Sequence, residues 1–107
     1  MRNTLIAGVI QNFEFVYELS VKMVRRELER DPDVPHDTDR LPFRDVMRVA
    51  GEKGLIEDVE AWFRHRQTRN ETSHAYDKVK ALKAYRDAAA FIADARALLA
   101  TLEARNA

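Results

Sequence analysis

The sequence predicts an all-α fold, an up-and-down bundle of four helices. Three observations predict it. Glycine and proline are scarce, three of each in 107 residues, while the strong helix formers Ala, Leu, Glu, Arg and Lys are plentiful. Apolar residues return at three- and four-residue steps through long stretches at both ends of the chain. Short polar breaks separate those stretches, so successive helices are expected to be antiparallel neighbours. A chain of 107 residues encloses one modest core, hence a single domain over residues 1–107.

The first helix runs from about Asn3 to Arg30. At 100° per residue, Ile6, Val9, Ile10, Phe13, Val16, Tyr17, Val21, Met23, Val24 and Leu28 share one broad apolar face. Glu14, Glu18, Lys22, Arg25 and Glu29 take the opposite one, and Phe15 projects among these charges. DPDVPHDTD, residues 31–39, is a loop with two prolines, four aspartates and no Lys or Arg. Pro42 suits the first position of a second helix, whose inner side is Phe43, Val46, Met47 and Ala50. Gly54 followed by Leu55 fits a Schellman-type ending. A third helix starts near Ile56, turns Val59, Trp62 and Phe63 inward, and reaches RNETSH. Asp77 suits the cap of a fourth helix with a seam of Ala81, Tyr85, Ala88, Ile92, Ala95, Leu99 and Leu102.

Composition excludes several functions. Hydrophobic residues make up 46% and charged residues 34%, which is the balance of a soluble globular protein. With 18 basic and 18 acidic residues the net charge is zero, so any affinity for nucleic acid has to come from local clustering. The absence of cysteine removes a disulfide framework, thiolate metal sites and a cysteine nucleophile. No apolar stretch approaches 20 residues and no signal-peptide pattern opens the chain, so a cytoplasmic protein off the membrane is expected. His36, His65 and His74 form no metal-binding pattern, and no glycine-rich phosphate loop is present. Neither a metal nor a cofactor is expected. The aspartates of residues 31–39 lack the spacing and glycine of a calcium loop.

The sharpest stretch is RNETSHAY, Arg69 to Tyr76, just after WFRHRQTR. Arg64, Arg66 and Arg69 with His65 form a basic cluster with no acid between Trp62 and Asn70. On a continuing helix Asn70 and His74 share a face, whereas Arg69 lies about 140° from His74. The two converge only if the helix loosens or a second chain supplies another copy. Histidine moves protons near neutral pH, and arginine offers a phosphate a fork of donors. Together they suit metal-free cleavage of RNA, and equally they suit the polar end of a helix. Trp62 is a core anchor or a stacking surface.

NFEFVYELSVKMVRREL, FRDVMRVAGEKGLIED and RNETSHAYD, in this order, resemble the nucleotidyltransferase substrate-binding proteins of the HEPN superfamily. The resemblance covers about residues 5–100. It implies a four- or five-helix bundle that forms homodimers beside a separate small MNT nucleotidyltransferase. Many HEPN proteins are metal-independent ribonucleases whose arginine and histidine meet at a dimer cleft. Here that pair is Arg69 and His74, with Asn70 as the polar residue after the arginine; the basic cluster just upstream adds Arg64 and Arg66 as expected substrate-binding groups. In HEPN–MNT toxin–antitoxin systems the motif extends to RxxxxHxY, and its tyrosine, here Tyr76, receives AMP and silences the toxin. The older family name implies instead a subunit that binds substrate for the transferase without catalysis. A third alternative is a structural dimer joined through Phe15 and its apolar neighbours.

Overall fold

The computed structural model describes residues 2–34, 38–72 and 78–106. It is an all-α bundle of four helices: α1, Arg2–Glu29; α2, Phe43–Glu52; α3, Val59–Glu71; and α4, Lys78–Arg105. A 3₁₀ turn, Thr38–Arg40, stands between α1 and α2. Among the described residues no helix is long and apolar enough to cross a membrane.

Local chemistry sets the ends of the two short helices. Pro42 lies one place outside α2, as its N-cap with φ −57° and ψ 150°, and its carbonyl accepts from Val46 N. At the other end Leu55 N donates to Ala50 O and Gly54 N to Gly51 O, with Gly54 at φ 77°. This is the Schellman ending expected of the sequence. Gly51 has a separate reason to lack a side chain: a Cβ there would stand 2.5 Å from a Val59 methyl, so α2 and α3 could not approach as they do. The third helix begins later than Ile56, because Asp58 caps it by accepting from Ala61 N at 3.1 Å. Ile56 is buried ahead of it. The cap expected from Asp77 lies outside the described residues.

Phe91 of α4 is the hub of the core. Its ring meets Phe13 edge-on at 5.0 Å, Trp62 at 5.8 Å and Tyr17 at 6.2 Å. Burying aromatics of two other helices against one ring supplies both area and the edge-to-face geometry such rings prefer. The buried stripe of α4 is Ala81, Ala84, Ala88, Phe91, Leu98 and Leu102. The expected seam was rotated from it: Tyr85 is 39% exposed, and Ile92 and Leu99 are each 50% exposed. Both stripes step by three and four, with partly buried Ala95 between Phe91 and Leu98; the α4 register that buries Phe91 wins because a ring excludes more apolar area from water than a leucine edge. Ile92 and Leu99, with Val16 and Leu19 of α1, then line an open apolar groove of about 500 Å³.

The contacts also fix the sense of each helix. Along α1, Ile10 packs with Ala81 and Ala84, Phe13 with Phe91, and Arg30 bonds Asn106. Helices α1 and α4 therefore run the same way. Helix α3 opposes α4, since His65 meets Asp94 and Thr68 meets Asp87. The chain after α1 turns back along it: Arg25 donates to the carbonyls of Thr38 and Leu41, and Phe43 reaches Tyr17. Helix α2 then runs with α1 until Lys53 pairs with Asp31 at 3.2 Å and Asp33 at 3.6 Å. A connection long enough to return along its own helix makes a parallel pair where short ones would alternate. Asp31, accepting from Asp33 N and from Lys53, is held below the usual carboxylate range, and Lys53 is raised in turn.

Candidate functional site

Helix α3 carries the site and presents different chemistry on each side. Its inner side is Ala61, Trp62, His65 and Thr68, all buried. Trp62, 2% exposed, is thus a core anchor and not a stacking surface. His65 is likewise drawn inward, out of the expected basic cluster: its Nε2 donates to Asp94 Oδ2 at 2.5 Å, and its ring lies 5.1 Å from Phe91. A buried imidazole is tolerated because this carboxylate satisfies it. Thr68 donates to Arg64 O at 3.1 Å and to Asp87 Oδ2 at 3.3 Å. Lys83 bridges Glu71 and Asp87, which raises its pKa. These bonds hold the last turns of α3 against α4.

Arg69 leaves α3 toward α1. Its guanidinium pairs with Glu14 Oε2 at 3.2 Å and Glu18 Oε1 at 2.9 Å. Thr72 completes the group, donating to Glu14 Oε2 at 3.0 Å. About a third of the Arg69 side chain stays open to water. Glu14 and Glu18 were expected on the outward face of α1; they do sit away from the core stripe, and there they form a carboxylate clasp for Arg69. Their i,i+4 spacing was the available signal, but only the α1–α3 packing says which cation they meet.

Asn70 goes the other way. With Arg66, Gln67 and Phe63 of α3, and Phe43 and Arg44 of α2, it lines a separate cleft of about 340 Å³. There Arg66 lies over the Phe43 ring at 4.6 Å and Arg44 over the Phe63 ring at 4.4 Å, both within cation–π range. Arg64 stays near the N-terminus of α3, 3.7 Å from Asp58, and is 69% exposed. The structure therefore does not bring Arg64, Arg66, Arg69 and Asn70 to one spot: they divide among three places around α3. His74 and Tyr76 lie outside the described residues. Phe43 and Phe63 were expected only as core residues, and nothing in the sequence pattern singled out Arg44 or Gln67.

Tyr17 sits between the two arginine sites. It is 7% exposed, with its ring 6.4 Å from Phe43. Burial pushes its phenol up to about 12, and the positive charges of Arg66, Arg69 and Arg25 oppose that rise. The Arg69 and Arg66 charges are thus both felt at one buried hydroxyl.

The chain has clear relatives. Residues 1–104 match a family described as nucleotidyltransferase substrate binding protein like. A Haemophilus influenzae protein named probable ribonuclease HepT is 44% identical over 106 residues, which is 99% of this chain and 73% of that protein. A solved Haemophilus influenzae structure, described as the fold of a substrate binding domain of a nucleotidyltransferase, superposes with a TM-score of 0.89 at 44% identity. That match covers 94% of this chain and 75% of the other.

Proposed function

The chain belongs to the nucleotidyltransferase substrate binding protein like family, and on that premise we propose that it is a HEPN-type, metal-independent ribonuclease of the cytoplasm. It works as the toxin of a two-component pair with a small MNT-type nucleotidyltransferase. The observation that carries the proposal is the 44% identity, along 99% of this chain, to a protein named probable ribonuclease. His74 is the acid/base: it takes the proton of a 2′-hydroxyl that attacks the adjacent phosphorus, or protonates the departing 5′-oxygen. Arg69 stabilises the charge gathering on the phosphorane, and Asn70 orients one of the two. Arg64 and Arg66 hold flanking phosphates. Tyr76 is where the transferase attaches AMP and silences the enzyme.

A homodimer supplies the second copy of the site. Glu14 and Glu18 lie about 180° around α1 from the centre of the apolar groove formed with α4. Two copies that join their Arg69 sites therefore meet on the Glu14–Glu18 side, where Phe15 is 68% exposed. The groove stays outside that contact.

The test is cleavage of single-stranded RNA in EDTA by the purified protein and by His74→Ala. Cleavage by the first and none by a folded variant is the expected result; intact RNA in both sinks the ribonuclease. Tyr76→Phe should keep cleaving and should gain no AMP mass when the transferase and ATP are added.

One observation favours a second reading, a subunit that binds substrate for the transferase without catalysis. Arg69 is already held by two carboxylates, so it has to exchange them before it can meet a phosphate. Under that reading the transferase loses activity without this chain, and RNA stays whole.

A further inference from the structure

The α2–α3 cleft is built from four side chains that cross over. Helix α2 contributes Phe43 and Arg44, and α3 contributes Phe63 and Arg66. Each arginine lies on the other helix's phenylalanine, at 4.4 and 4.6 Å, and the two ring centroids are 6.3 Å apart. The rings fix both guanidiniums by their faces and leave the N–H edges free to donate. Among the described residues neither arginine has a carboxylate partner, although Arg30, Arg48, Arg64 and Arg69 all do. Two neighbouring, pre-oriented cations without counter-charge form an anion site.

The cleft asks for more than a bare phosphate. Its volume of about 340 Å³ falls in the range of small-molecule sites. Phe63, Arg66, Gln67 and Asn70 stand at i, i+3, i+4 and i+7, one stripe of α3, so both amides open onto the same space as the guanidiniums. An amide reads the donor–acceptor edge of a nucleobase, and a guanidinium plane is a surface on which bases stack. Gln67 also bonds Glu71 at 3.2 Å through its Nε2, which leaves its carbonyl oxygen to accept from a base.

We propose that this cleft binds one nucleotide unit of single-stranded RNA, its phosphate held by Arg44 and Arg66, its base stacked on a guanidinium and read by Gln67. This deepens the ribonuclease reading and rests on it for the choice of RNA over a free nucleotide, the other source of the same chemistry. The stripe ends at Asn70, which the ribonuclease reading already uses, so the cleft adjoins one of the proposed cleavage residues. Gln67, Arg44, Phe43 and Phe63 then set which nucleotide the cleft accepts.

The test uses a fluorescent single-stranded RNA 12-mer in EDTA with the His74→Ala protein, so that the probe stays whole. Binding is compared with Arg44→Gln/Arg66→Gln in the same background, across a series of salt concentrations. Loss of the one phosphate contact that the two arginines share should weaken binding about tenfold and flatten the log–log salt slope by about 0.7. Arg44→Lys/Arg66→Lys keeps the charge and loses the planar stack; it should restore the slope while recovering only part of the affinity. Unchanged affinity and slope in a folded Gln variant overturns the cleft and leaves the ribonuclease reading standing. If RNA fails to bind but AMP binds and needs both arginines, the nucleotide site stands and the RNA reading falls. If neither probe binds, both fall.

Discussion

Arg66 and Arg69 are three residues apart on α3 and have been given opposite company. Arg69 is clasped by Glu14 and Glu18 of α1, with Thr72 beside them. Arg66 rests on the Phe43 ring, with Arg44 on Phe63 nearby, and meets no carboxylate among the described residues. A guanidinium between two carboxylates makes a group of net negative charge, which repels a phosphate until the clasp opens. A guanidinium on an aromatic face keeps its charge and its donors. In a chain of 18 basic and 18 acidic residues, the zero total therefore says little about either place. What matters is where α1 puts its acids. One arginine is a link between helices that has to be released, and the other is ready to meet an anion.

The comparison breaks first at the core the two regions share. Phe91 touches Phe13, Tyr17, Trp62 and His65, so Phe91→Ala removes the ring that holds α3 to α1 and α4. The expected loss is about 3–5 kcal/mol in urea unfolding. A loss below about 1 kcal/mol would mean that α3 is positioned by its polar bonds and that the two regions are independent. A smaller change sharpens the contrast. Glu14→Gln with Glu18→Gln opens the clasp and leaves the α2–α3 cleft untouched. RNA affinity in the His74→Ala background should rise severalfold and the salt slope steepen by about 0.7, one added phosphate contact. Stability should change by no more than about 1 kcal/mol, as for other solvent-exposed ion pairs. Unchanged affinity would show that Arg69 never reaches the phosphate.

Most of the fold was legible, because helix propensity and apolar periodicity are local properties. The Gly54–Leu55 ending, the inner side of α2 and the core place of Trp62 all follow from spacing. The rotation of α4 was not legible. Ala81, Ala88 and Leu102 belong to both the expected seam and the observed stripe, and only the partners of Phe91 decide between its remaining members. The return of residues 38–42 along α1 was hidden too, since it depends on Arg25 finding two carbonyls far along the chain. At the site, sequence order suggested one basic cluster, whereas helix geometry scatters Arg64, His65, Arg66 and Arg69 around α3. The clasp, the His65–Asp94 pair and the crossed arginines are each made between helices, and no spacing within one helix announces them.

The last prediction concerns Tyr17, the residue that feels both arginines. Its phenol is pushed up to about 12 by burial, against the opposing charges of Arg66, then Arg69, then Arg25. The folded protein thus keeps Tyr17 protonated where an unfolded tyrosine, near 10, would ionise. The stability this contributes is fully present below pH 10 and is lost as the pH climbs from about 10 toward 12. Thermal melting over that window should fall more steeply for the unaltered chain than for Tyr17→Phe, which has no proton to lose there. Absorbance of tyrosinate, with Tyr17→Phe as the assignment control, then tells the arginines apart. Arg66→Gln should raise the Tyr17 transition further, because an uncompensated cation that favoured the phenolate is gone. Arg69→Gln should raise it less, since Arg69 opposes the rise less than Arg66 does. Equal shifts in the two variants would mean that Tyr17 feels the two arginines alike, and the contrast between the two sides of α3 would then rest on their partners alone.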